Sequence, residues 1–175
     1  MKIADQIGEW LYAKHISDVF GIIGSGNIAI WEAITRLEKS KIHCFHHEQA
    51  AAQAAVFYHR VTGKHAAVLV TTGAGSSNVV TGILCAWMDS VPLLCIAGNE
   101  PTHFLESNAR AKGAQGYDFI ETLGPITKSA KRLLPSDNGI IGSILETSYD
   151  TMMDGRQGPV VVEVPINVQN LEVAQ

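Results

Sequence analysis

The residues best suited to chemistry lie where an apolar run gives way to a helical pattern. In Phe45-His-His-Glu-Gln-Ala-Ala-Ala52 the carboxyl of Glu48 falls in the first turn of an alanine-rich segment. A carboxylate there can be a helix-end charge, stabilised by the dipole by ~0.3–1 kcal/mol. It can equally hold or pass a proton beside a bound ligand. From spacing alone the first use is the commoner one, because first-turn acids are frequent. His43, His46 and His47 invite a zinc reading, but no H-E-x-x-H and no carboxylate-plus-cysteine set accompanies them, which argues against a metal centre.

A second junction, Val70-Thr-Thr-Gly-Ala-Gly-Ser-Ser-Asn78, again joins an apolar run to a helical pattern. Its glycines let the backbone approach a ligand, and free amides at a helix start can hold polar atoms. It nearly matches the dinucleotide fingerprint G-x-G-x-x-G, with Asn78 at the third glycine and Glu100 about twenty residues on. A single near-match is weak evidence, since glycine turns here often serve packing. The loop Gly21-Ile-Ile-Gly-Ser-Gly26 is less specific again. There is no P-loop, G-x-S-x-G elbow or carboxylate cluster.

The elements that must position these residues alternate between two periods. Ile3, Ile7, Trp10 and Leu11 recur at helical spacing, predicting a helix over 3–14. A short strand over 18–22 leads through Gly24-Ser-Gly26 into a helix marked by Ile28, Trp31, Ile34 and Leu37. Strand 41–45, helix 48–61, strand 66–71, a helix from 73 to about 87 and strand 92–97 follow. Residues 99–116 are polar and aperiodic, and a connection of that length is usually functional or mobile. A helix around 117–123, a strand over 127–132, a helix over about 138–153 and a strand over 159–164 complete the chain. Runs such as Ala66-Ala-Val-Leu-Val-Thr71 are continuously apolar and so buried on both faces. Six strands separated by helices predict one α/β domain over 1–175, a doubly wound and mainly parallel sheet with helices on both faces. Function in such folds sits at the carboxyl ends of strands, which directs attention to loops 22–27, 45–49, 72–78 and 98–117.

Composition narrows the function classes. The 175 residues are 46% hydrophobic and 17% charged, suiting one compact domain. A net charge of -4 provides no basic field for nucleic acid or anionic membrane. Asp5 and Glu9 interrupt the N-terminal apolar run, against a signal peptide. Cys44, Cys85 and Cys95 form no C-x-x-C pair and are expected to be buried, reduced thiols of a cytoplasmic protein.

Taken in order, five segments resemble the N-terminal domain of thiamine-diphosphate enzymes of the acetolactate synthase group. They are VFGIIGSG (19–26), HHEQAAAQAA (46–55), the run from VLVTTGAGSSN through DSVPLLCIAGNEP (68–101), AQGYDFIETLGPITK (114–128) and GRQGPVVVEVPINVQ (155–169). The resemblance implies that Glu48 contacts N1′ of the cofactor's aminopyrimidine and favours the imino tautomer that activates it. It implies that Asn78 and Gln115 line the pyrimidine pocket and the adjacent substrate space, and that Gly24 and Ala74 border it. Ala50, Ala51, Ala52 and Ala54 are expected to leave room for the ring. Lys128 matches a frequent family lysine of no assigned role. The chain departs from the family pattern at Ile23 and Ala74, where prolines are usual, at Gly116, where an acid is usual, and at Asn167, where aspartate is usual.

The family's second active domain carries G-D-G and a downstream asparagine, which hold Mg²⁺ and the diphosphate; no G-D-G occurs in this sequence. The resemblance therefore implies a separate diphosphate-binding subunit, as in sulfopyruvate decarboxylase, in a hetero-oligomer built on dimers and inactive without it. The expected task is decarboxylation of a 2-oxo acid, with release of an aldehyde or carboligation. An alternative is a sulfopyruvate or phosphonopyruvate decarboxylase subunit, with Arg110 and Lys112 supplying cations. A non-catalytic assembly module is the third reading, and a dinucleotide-binding domain the fourth.

Overall fold

A computed structural model describes residues 1–107 and 113–174 of the chain. Six strands form one sheet: β1 (Asp18–Gly21), β2 (Lys41–Cys44), β3 (Ala67–Val70), β4 (Leu94–Asn99), β5 (Ser129–Arg132) and β6 (Val160–Pro165). Their order is β2-β1-β3-β4-β6-β5, and every neighbouring pair is parallel. The sheet is thus wholly parallel and doubly wound. Parallel neighbours require crossover helices, which cover both faces.

Side-chain alternation sorts the core into two halves. Ala67 and Leu69 of β3, with Leu94 and Ile96 of β4, face a cluster built with α1 (Ile3–Ala13), α2 (Ile28–Leu37) and α8 (Ile141–Met153). Val68 and Val70, with Cys95 and Ala97, face the opposite cluster, built with α3 (Glu48–Thr62), α5 (Val80–Met88) and α7 (Phe119–Leu123). β3, β4 and β6 are buried along their whole length, each large side chain contributing ~1.5–3 kcal/mol.

The helix predicted from residue 73 to about 87 is two pieces, α4 (Ala74–Ser77) and α5, separated at Asn78-Val79. Asparagine competes with the helix through its own side-chain hydrogen bonds, and here that bond reaches across to α3, as described below. The irregular stretch contains α6 (Thr102–Leu105) and a 3₁₀ turn at Ala114–Gly116. Arg110 and Lys112 lie outside the described residues. A further short helix, α9 (Ile166–Gln169), follows β6.

Of the small residues of α3, Ala50 is exposed and Ala54 half-buried, while Ala52 packs against α5. Ala51, Ala52 and Ala55 are buried, and a Cβ on Gly82 of α5 would lie 2.3 Å from that of Ala52. The thiol expectation holds for Cys95 alone. Cys44 is exposed at the end of edge strand β2 and Cys85 is half-buried; all three are free.

Candidate functional site

The chain winds one way across the sheet from β1 to β2 and the other way from β3 to β4, which puts the switch point between the adjacent strands β1 and β3. The connections leaving β1 and β3 therefore separate to opposite faces and open a crevice at their carboxyl ends, where ligands bind in such sheets. Loops 22–27 and 71–78 sit there.

The first loop is fixed from several sides. Asn27, fully buried, accepts the Gly24 N–H at 2.8 Å and donates to the Ile22 carbonyl at 3.0 Å. The Gly26 N–H donates to Thr71 Oγ1 at 3.0 Å. Gln169, also buried, donates to the carbonyls of Gly26 at 2.6 Å and Val164 at 2.7 Å. Gly98 approaches so closely that a Cβ would fall 1.9 Å from the Gly26 carbonyl oxygen.

The start of α3 meets the 71–78 connection. His47 caps the helix, its Nδ1 accepting the Gln49 N–H at 3.2 Å. Glu48 is only 8% exposed. Its Oε2 accepts from Asn78 Nδ2 at 2.9 Å, which orients the carboxyl group. Oε1 has no hydrogen-bond partner among the described residues, and a Cβ on Gly75 would lie 3.4 Å from it. A buried carboxyl oriented by one amide, with its second oxygen free beside a glycine, can share a proton with a ring nitrogen. The far end of α3 is tied to β1. Tyr58 donates to Asp18 at 2.8 Å, and His43 bonds the same carboxylate at 2.8 Å. Burial pushes the Asp18 carboxyl up, but the bonds from His43, Tyr58 and Ser17 outweigh it and hold it below its ordinary value.

The third wall is the 114–118 turn. Thr72 Oγ1 donates to Gln115 Oε1 at 2.6 Å. Gly73, at φ +59°, admits this approach: a Cβ there would be 2.6 Å from Gln115 Oε1 and 2.9 Å from the Ala114 carbonyl oxygen. Gly73, Ala74, Ser77, Ala114 and Tyr117 line a hollow of about 280 Å³.

Every residue singled out for the site thus gathers around the 71–78 connection. Glu48 and Asn78 are bonded, Gly24 abuts Thr71, Ala74 lines the hollow and Gln115 reaches Thr72. Ala74 opens α4 at its first helical position, which proline also favours, so that departure leaves the backbone undisturbed. Asn167 accepts the Thr102 N–H at 3.1 Å and donates to Thr102 Oγ1 at 3.0 Å. An aspartate could only accept. Lys128 stands apart, its ammonium bonded to the Asp154 carbonyl. His46 is exposed, and among the described residues no three His, Cys, Asp or Glu are grouped to hold a metal. Nor, among them, is any helix long and apolar enough to cross a membrane.

Sequence reasoning missed Asn27, Gln169, Thr71 and Thr72, whose work depends on which loops the topology brings together. It also passed over Glu163, a fully buried acid in the otherwise apolar strand β6. That interruption was a readable signal, because a buried charge demands a partner.

Residues 1–121 match the family described as thiamine pyrophosphate enzyme, N-terminal TPP binding domain. The chain is 35% identical to an acetolactate synthase of Arthrospira platensis, over 90% of this chain and 27% of that protein. It is 34% identical to the acetolactate synthase large subunit of Haemophilus influenzae, over 95% and 28% respectively. It is 33% identical to the chloroplastic acetolactate synthase of Arabidopsis thaliana, over 96% and 24%. The chain therefore spans about a quarter of the length of the curated relatives it matches.

Proposed function

The chain belongs to the thiamine pyrophosphate enzyme family, and on that premise we propose that it supplies the pyrimidine side of a thiamine-diphosphate site that decarboxylates or ligates 2-oxo acids. The observation that carries this reading is Glu48: buried, oriented by Asn78 and free at Oε1. Oε1 would hold the proton shared with the aminopyrimidine N1′, and Gly75 leaves space beside that oxygen. When bound, the cofactor supplies a thiazolium carbanion for attack on a 2-oxo group. Asn78 keeps the Glu48 carboxyl aimed. Gly24 and Ala74 would border the ring, and Gln115, its carbonyl engaged by Thr72, would leave its amide N–H groups for the substrate.

The diphosphate and its Mg²⁺ belong, in this proposal, to a separate cytoplasmic subunit, and the chain alone is inactive. A row of exposed apolar residues supports such a partner. Phe57 and Val61 on α3 are 59% and 83% exposed, and Leu84 and Met88 on the adjoining α5 are 41% and 66% exposed. They repeat at helical spacing on two packed helices, and exposed apolar side chains so placed would suit another helical pair. Arg60 and Asp89 pair across the two helices at 3.1 Å.

The test is co-expression with a diphosphate-binding chain that carries G-D-G, followed by pyruvate turnover with thiamine diphosphate and Mg²⁺. Activity should need both chains and should be lost with assembly in a Phe57→Asp/Met88→Asp variant. Turnover by this chain alone, or normal assembly of that variant, would contradict the proposal.

A further inference from the structure

The 114–118 turn that carries Gln115 is attached at its far end to a chain of charges absent from the site itself. Glu163 is fully buried in β6, beside Arg132 in the parallel register of β5. Arg132 Nε is ion-paired with Glu163 Oε1. The same guanidinium reaches out through Nη2 to Asp118 Oδ1 at 3.2 Å. Asp118 ends the turn and caps α7, accepting the Glu121 N–H at 3.2 Å. One planar cation thus bridges a buried carboxylate and a half-exposed one, a geometry that suits the guanidinium fork and not an ammonium.

A buried ion pair is weak evidence of a stabilising role, since apolar residues of similar volume often do as well. What the apolar pair could not do is present a fixed cation at the end of the turn. Burial pushes the Glu163 carboxyl up, and Arg132 offsets that in part. Thr72 bonds Gln115 and Gly73 receives Ala114 closely, but both contacts belong to the site. The Arg132–Asp118 contact is the ion pair that ties this turn to the sheet among the described residues.

We propose that Arg132 is a positioning residue: gripped by Glu163, it holds Asp118 and so keeps Gln115 seated over Thr72 and beside the Glu48 pocket. The inference rests on the reading of Gln115 as a pocket residue, and its test separates the two.

Asp118→Asn is the informative variant, because asparagine caps a helix as well as aspartate does while losing the charge that Arg132 holds. Backbone ¹⁵N order parameters of the full chain are the first readout. The wild type should show values near the rigid-backbone level of about 0.85 over 114–117, and the variant values below about 0.6. The amides of α7 and the thermal midpoint should stay unchanged. Arg132→Lys, which keeps a charge for Glu163 but not the fork, should loosen the same four residues. If 114–117 stay rigid in both variants, or if α7 loosens together with them, the positioning role is wrong. In the complex with a diphosphate-binding chain, Asp118→Asn should raise KM for pyruvate about tenfold and change kcat less. A KM equal to that of the wild type would also overturn the role. Gln115→Ala in that complex judges the premise separately: unchanged turnover would remove Gln115 from the pocket whatever the order parameters show.

Discussion

Replacing Arg132 by methionine would leave Glu163 in β6 without its counter-ion. The carboxylate is fully buried, and its Oε2 already has no hydrogen-bond partner among the described residues. Removing one member of a buried pair costs about 3–5 kcal/mol, because the other charge stays desolvated. In a domain of this size each kcal/mol moves the midpoint by roughly 2–4 °C, so the loss amounts to roughly 6–20 °C. Thermal and urea melts followed by circular dichroism at pH 7 would measure it. The pH dependence has a definite sign. The folded-state value of Glu163 lies above the ordinary 4.5, and loss of Arg132 raises it further. The penalty is therefore absent below pH 4.5 and grows as pH rises through the folded value, so the gap between variant and wild type should narrow on acidification. An Arg132→Leu/Glu163→Met double variant should recover most of the loss. A deficit under about 1 kcal/mol, a gap independent of pH between 4.5 and 8, or a double variant as unstable as the single would refute the reasoning.

Three further outcomes follow from the packing. Gly82→Ala sets a Cβ 2.3 Å from that of Ala52 and should destabilise the chain by about 1–3 kcal/mol in urea melts, with an added Ala52→Gly recovering most of it. Burial and the neighbouring His59 lower the His65 value below 6.5; its neutral form thus contributes stability above pH 6.5 that is lost as pH falls through the lowered value. The midpoint of His65→Phe should accordingly vary less than that of the wild type between pH 7.5 and pH 5. Burial pushes the Cys95 thiol up to about 12, so a thiol reagent at pH 8 should label exposed Cys44 first and Cys95 only after unfolding.

Much of the fold was legible because β3, β4 and β6 are uninterrupted apolar runs and the helices between them keep a helical period. Boundaries were less so: the predicted strand 92–97 is Leu94–Asn99, since strand ends are set by the register with β6 rather than by local hydropathy. Asn78 breaks a helix that local propensity would continue, because its amide is bonded to a carboxyl thirty residues away in sequence. Glu48 was visible as a helix-end acid, and only the order of the surrounding motifs gave it a chemical meaning. The buried Gln169 that clamps Gly26 could not have been found by spacing, for 143 residues separate them. Its position is a product of topology.

The proposed role of Glu48 in activating the cofactor is read most directly from the rate at which the C2 proton of bound thiamine diphosphate exchanges into D₂O. It would be read by quenched-flow NMR on this chain assembled with its diphosphate-binding partner, as wild type and as Glu48→Gln. Glu48→Gln should slow the exchange by about 100-fold or more, in line with what one positioned acid–base group contributes, whereas exchange within about 3-fold of the wild type would contradict that role for Glu48.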